Sequence, residues 1–124
     1  EPDDGYWSNV WNVEPFIASY WGGRPVQDQM YSTASISTAD WNDTKFKNAH
    51  FDELLIAARA ELDETKKKAA YSEMAHIVRD EGGLVLPMFN DFVDGVREEI
   101  GGWVDDPNGE LMSNRALSRC WLNA

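Results

Sequence analysis

The sequence predicts a mixed α+β fold, and three observations carry the prediction. Residues 45–82 place apolar side chains at helical spacing, with one interruption. Two short apolar runs without that period, Phe16–Trp21 and Leu84–Phe89, flank the helical stretch and read as strands. The remaining segments are rich in Gly, Asn, Ser and Asp, the residues of turns and loops.

Taken in order, Phe16-Ile17-Ala18-Ser19-Tyr20-Trp21 is a strand closed by Gly22-Gly23. Pro25, with its fixed φ, suits the first turn of a short helix through Asp28, Met30 and Tyr31. Ser32 to Asp43 is polar and loop-like, with Trp41 isolated in it. Phe51, Leu54, Leu55, Ala58 and Leu62 form one apolar stripe, and Asp63 caps a second helix from about Glu64. The face of that second helix is Ala70, Tyr71, Met74, Ile77 and Val78, and Gly82-Gly83 end it. The two helices make a hairpin. Leu84–Phe89 suits a buried strand, with Pro87 marking an edge or an end. Asn90-Asp91 is a turn, beyond which Phe92, Val93 and Val96 continue the extended run. Gly101-Gly102 and Pro107-Asn108-Gly109 signal loops in a tail without period. The chain reads as a single domain over 1–124, with an aromatic-rich region (1–44), a helical hairpin (45–82), and a strand and tail (83–124).

Composition narrows the function classes. The 124 residues are 43% hydrophobic and 27% charged, which places the chain among globular proteins. The net charge of −11 argues against nucleic acid and anionic lipid as partners. The single cysteine, Cys120, excludes an internal disulfide. No apolar run approaches the roughly 18 residues of a membrane helix. The turn-like start Glu1-Pro2-Asp3-Asp4-Gly5 reads as the middle of a longer protein. Six Trp in a chain of this size point to an aromatic-lined pocket or an interface.

One ordered set of residues carries a family resemblance. It comprises Phe51-Asp52-Glu53-Leu54-Leu55-Ile56-Ala57-Ala58-Arg59, Glu61-Leu62-Asp63, Lys66-Lys67-Lys68, Tyr71 with Glu73-Met74, Ile77, Asp80-Glu81-Gly82 and Leu86-Pro87-Met88-Phe89. Upstream stands Tyr20-Trp21-Gly22-Gly23-Arg24-Pro25. Over roughly residues 6 to 97 the chain resembles the C-terminal region of the peptide and dipeptide solute-binding proteins of bacterial ABC transporters (solute-binding protein family 5). The resemblance implies the C-terminal fragment of a two-lobed, periplasmic-binding-protein type II-like fold. It also implies a periplasmic or extracytoplasmic location, a peptide or similar small solute as ligand, and ABC permease subunits as partners. It implies neither a cofactor nor an enzymatic activity. A piece cut from such a lobe would expose apolar surface and self-associate, which light scattering would detect.

Five residues are candidate ligand contacts. The resemblance places Trp21 in the cleft, where its ring would stack on peptide groups; the competing reading is a core Trp. Arg24 stands where peptide binders of the family offer an Asp to the ligand's amino terminus. A guanidinium there favours a carboxylate, or it pairs internally with Asp28 one helical turn onward. Asp28 is the alternative amine partner. Trp11 and Trp41 lie in irregular polar segments, where binding aromatics concentrate, and Trp7 reads as packing. His50 and His76 form no metal spacing with Cys120, and the two histidines read as solvated or cap-like. Tyr71 and Met74 read as core, and Lys66-Lys67-Lys68 as a solvated face. Asp3-Asp4, Glu98-Glu99 and Asp105-Asp106 read as surface acids, without calcium-loop spacing. The alternative functions are a free-standing small-ligand or carbohydrate-binding module and, last, a hydrolase with a carboxylate pair, for which no nucleophile or base assembles.

Overall fold

The computed structural model describes residues 4–107 and 109–123. The turn at Glu1-Pro2-Asp3, the acid Asp3, the loop residue Asn108 and the terminal Ala124 lie outside them. The chain forms two compact units, Glu1–Val85 and Leu86–Ala124. Both helix and sheet are present, so the mixed α+β class holds in its coarse form.

The first unit is built on the hairpin. Helix α3 covers Ala49–Ala60, and α4 covers Glu64–Glu81. Each start is capped by a side-chain oxygen. Asn48 accepts from the Phe51 N–H, and Asp63 accepts from the N–H groups of Thr65 and Lys66. Phe51, Leu55 and Ala58 of α3 meet Met74 of α4, and Phe51, Leu55 and Met74 are fully buried. Tyr31 and Phe46, from the preceding segments, close this core, with Ala70, Tyr71, Ile77 and Val78 at its margin. Leu62 departs from the predicted stripe. Helix α3 stops at Ala60, so Leu62 falls in the connection and is 92% exposed.

Before the hairpin lie two single-turn helices, α1 (Tyr6–Asn9) and α2 (Gln27–Met30). A π-helical turn over Tyr31–Ser35 continues α2, so the predicted polar loop from Ser32 begins as helix. The hydroxyls of Ser32 and Thr33 bond back to the carbonyls of Asp28 and Gln29. Such back-bonding competes with the regular α-helical ladder. Phe16–Trp21 is not a strand. It runs irregularly, and a strand requires a neighbour offering its backbone groups.

In the second unit, Leu86–Arg97 has no regular structure, and Leu86, Met88, Phe89 and Val93 are largely exposed. The predicted strand Leu84–Phe89 is therefore also absent, for want of a partner strand. The sheet among the described residues lies instead in the tail. It pairs β1 (Ile100–Gly101) antiparallel with β2 (Trp121–Leu122). Between them stand α5 (Glu110–Asn114) and α6 (Ala116–Arg119). Leu111 to Asn114 carry positive φ, a left-handed turn costing L residues about 1–2 kcal/mol each. Met112, 2% exposed, and a bond from the Leu111 N–H to Asp94 hold that turn. Gly102 has φ 82°, and a Cβ there would overlap the Trp121 ring, so only glycine fits beside β2.

Candidate tryptophan–carboxylate site

The irregular N-terminal segment of the first unit is held by side chains rather than by a ladder. The Tyr6 hydroxyl donates to the Ala18 carbonyl at 2.5 Å. Asn12, with φ 63°, donates to the Asp40 carbonyl at 2.9 Å. Lys45 donates to the Asn12 carbonyl at 3.1 Å and to its side-chain oxygen. These bonds bring residues 6–21 against the loop 40–45.

The centre of that contact is Asp43. Its Oδ2 accepts the indole N–H of Trp11 at 3.0 Å and that of Trp21 at 3.1 Å. Around it the rings form a continuous set. Trp7 meets Trp11 edge-on at 5.8 Å, and Trp11 meets Trp41 edge-on at 6.1 Å. Trp41 lies tilted against Trp21 at 6.1 Å, and Tyr20 packs edge-on against Trp7 at 5.8 Å. Edge-to-face pairs at these separations are the favoured aromatic geometry. Trp7 and Trp41 each remain 51% exposed, so ring surface stays open to solvent. Among the described residues, no ion pair or hydrogen bond engages Asp43 Oδ1.

Three of the five predicted contacts, Trp11, Trp21 and Trp41, are thus brought together. Trp7, read as packing, joins them. Asp43 had no predicted role, because it sits in a polar loop where acids are common. The signal for it was the density of Trp on both sides of that loop, since each indole N–H requires an acceptor.

The other two predicted contacts lie apart from this set. The Arg24–Asp28 pair does not form. Helix α2 starts at Gln27, with Val26 as its cap, so Arg24 precedes the helix and has no i,i+4 relation to Asp28. Arg24 instead folds back, donating to the carbonyls of Gly22 at 2.8 Å and Gly23 at 3.2 Å. Asp28 takes Arg59 of α3, whose Nε and Nη2 reach Oδ1 and Oδ2 at 2.8 and 3.0 Å. The Tyr71 hydroxyl adds a bond to Asp28 Oδ1 at 2.9 Å, and Ser32 bonds Arg59. Tyr71 therefore does more than pack. Its ring stacks on Tyr31, while its hydroxyl ties α4 to α2. Val26, Gln27 and Lys67 join these residues around a shallow depression. His50 pairs with Glu73 at 2.7 Å across the hairpin, on an exposed face.

Arg59 holds the Asp28 carboxyl below its ordinary value of 3.8; burial opposes it, and Tyr71 and Ser32 add smaller lowering effects. Because the folded value is the lower one, the stabilisation is complete above the ordinary carboxylate range. It is lost as pH falls through the lowered value. Asp28→Asn is expected to flatten the acid limb of an unfolding titration from about pH 5 downward. The effect is modest, under about 1 kcal/mol, because Arg59 is nearly half exposed. A variant that kept the full wild-type acid slope would show that the pair contributes nothing.

No family model, curated protein or solved structure matches the chain.

Proposed function

We propose that the chain is the C-terminal part of an extracytoplasmic solute-binding protein, which captures peptides or similar small solutes and delivers them to an ABC permease. The observation that carries the reading is the convergence of Trp11 and Trp21 on one carboxylate, with the half-exposed Trp41 packed against both rings. Rings and a single acid suit reversible capture. Ring faces stack on peptide groups or apolar side chains without demanding one sequence. The ordered resemblance over residues 6 to 97 supports the same reading. So does the run of exposed apolar residues from Leu86 to Val93 in the second unit, a surface of the kind that further protein would cover. The periplasmic location and the two-lobed closure over ligand belong to this proposal.

The test is a titration of the full-length gene product, freed of bound ligand, with dipeptides and longer peptides while Trp emission is followed. Saturable quenching is expected, at micromolar or tighter affinity. Trp21→Phe should weaken it several-fold, since the smaller ring loses both stacking area and the bond to Asp43. Absence of peptide binding, with sugar bound by the isolated chain, would replace this reading by a carbohydrate-binding module.

A further inference from the structure

We infer that the tryptophan set around Asp43 is a subsite for a quaternary ammonium group. The inference rests on the solute-binding reading and names the chemistry that this part of the surface selects. Asp43 is a carboxylate without a basic partner among the described residues. The nearest cation in sequence, Lys45, donates to Asn12 and forms no ion pair with Asp43 among the described residues. Both indole N–H groups point at Oδ2, so they hold the acid in place while Oδ1 faces no donor. Trp11 and Trp21 meet the acid with their N–H edges, while Trp7 and Trp41 leave half of their surface open to solvent, and exposed indole surface attracts cations. The unpaired carboxylate and the exposed indole surface therefore both attract positive charge, and the net charge of −11 adds a long-range field of the same sense.

The kind of cation follows from what the site lacks. No group of three or more His, Cys, Asp or Glu side chains able to hold a metal ion occurs among the described residues. A metal ion needs several such donors, and indole rings supply none. A primary ammonium brings three N–H donors, and the carboxylate has one oxygen, Oδ1, without a hydrogen bond among the described residues. Its remaining donors would leave water without a replacement. A quaternary ammonium has no N–H to satisfy, and its methyl groups carry the charge onto ring faces. The site therefore selects a bulky, alkylated cation over a compact, strongly hydrated one.

The test follows the indole N–H signals of Trp11 and Trp21 by NMR on the full-length protein. It is titrated in parallel with tetramethylammonium chloride, sodium chloride, butylammonium chloride and tert-butanol. Saturable shifts are expected with tetramethylammonium alone. Asp43→Asn keeps an oxygen for both indole donors and removes the charge, so binding should weaken about tenfold with the ring geometry intact. Equal shifts with sodium chloride, or tighter binding of butylammonium or tert-butanol, would overturn the inference. So would unchanged affinity in Asp43→Asn. Adding a dipeptide separates the two levels. If dipeptide saturates these signals and tetramethylammonium does not, the cation subsite fails and the solute-binding reading stands. If no solute moves them, both fail.

Discussion

Phe51→Ala is expected to destabilise the first unit by about 3–5 kcal/mol. The ring is fully buried, and it meets Tyr31 edge-on at 5.3 Å and Phe46 edge-on at 5.4 Å. Its loss removes the transfer free energy of the side chain, leaves a cavity, and ends two aromatic contacts at once. The neighbours cannot easily collapse into the space. Tyr31 belongs to the π-helical turn and Phe46 to a loop closed by its own hydrogen bonds, so each is held by its backbone. The expected loss is a large share of the 5–15 kcal/mol that a typical domain possesses. Urea unfolding followed by far-UV circular dichroism measures it. Leu62→Ala is the control, because Leu62 stands almost wholly in solvent, and its midpoint should not move measurably. A Phe51→Ala shift below about 1 kcal/mol would mean that the hairpin core does not close on this ring.

The residues whose structure was legible in the sequence are those whose cause is local. Asp63 caps α4 because an acid one position before a helical stripe can reach the next N–H groups unaided. Phe51, Leu55, Ala58 and Met74 lie inside because their spacing fixes which face of each helix turns inward. The strands failed for the opposite reason. Phe16–Trp21 and Leu84–Phe89 have strand-like composition, but a strand exists only where another offers its backbone, and no sequence window contains that partner. The small sheet that does form joins Ile100 to Leu122, residues from a stretch without recognisable period. Arg24 and Asp28 show how a boundary error propagates. A helix beginning two residues later than Pro25 removes the i,i+4 relation, and Asp28 turns to Arg59, 31 residues away. The tryptophans were legible as ring surface and Asp43 was not. A carboxylate acquires its role only when Trp11 and Trp21, 32 and 22 residues distant, fold onto it.

Asn42→Ala is expected to cost about 1–3 kcal/mol and to disorder the tryptophan set as well. Asn42 is the buried polar residue of the first unit's loop, 5% exposed, between Trp41 and Asp43. Its amide donates to the Phe46 carbonyl at 2.6 Å, and its oxygen accepts the Phe46 N–H at 3.1 Å. The Thr44 hydroxyl also bonds that oxygen, at 3.3 Å. One side chain thus satisfies both backbone groups of Phe46, the residue whose ring packs on Phe51. Alanine leaves the Phe46 carbonyl buried without its donor, which costs the desolvation of that group. It also frees Lys45 from a left-handed conformation (φ 57°) that the closed loop imposes. Trp41 and Asp43 flank the lost bond, so the near-UV circular dichroism of the tryptophans should fall together with stability. Asp43→Asn provides the contrast, because it keeps an acceptor for Trp11 and Trp21 and should leave that spectrum nearly intact. If Asn42→Ala lowers stability but leaves the tryptophan spectrum unchanged, the rings are positioned from residues 6–21 alone. If both change, the same side chain that seals the hairpin core also sets the carboxylate under its indoles. Core packing and ring geometry would then rise and fall together.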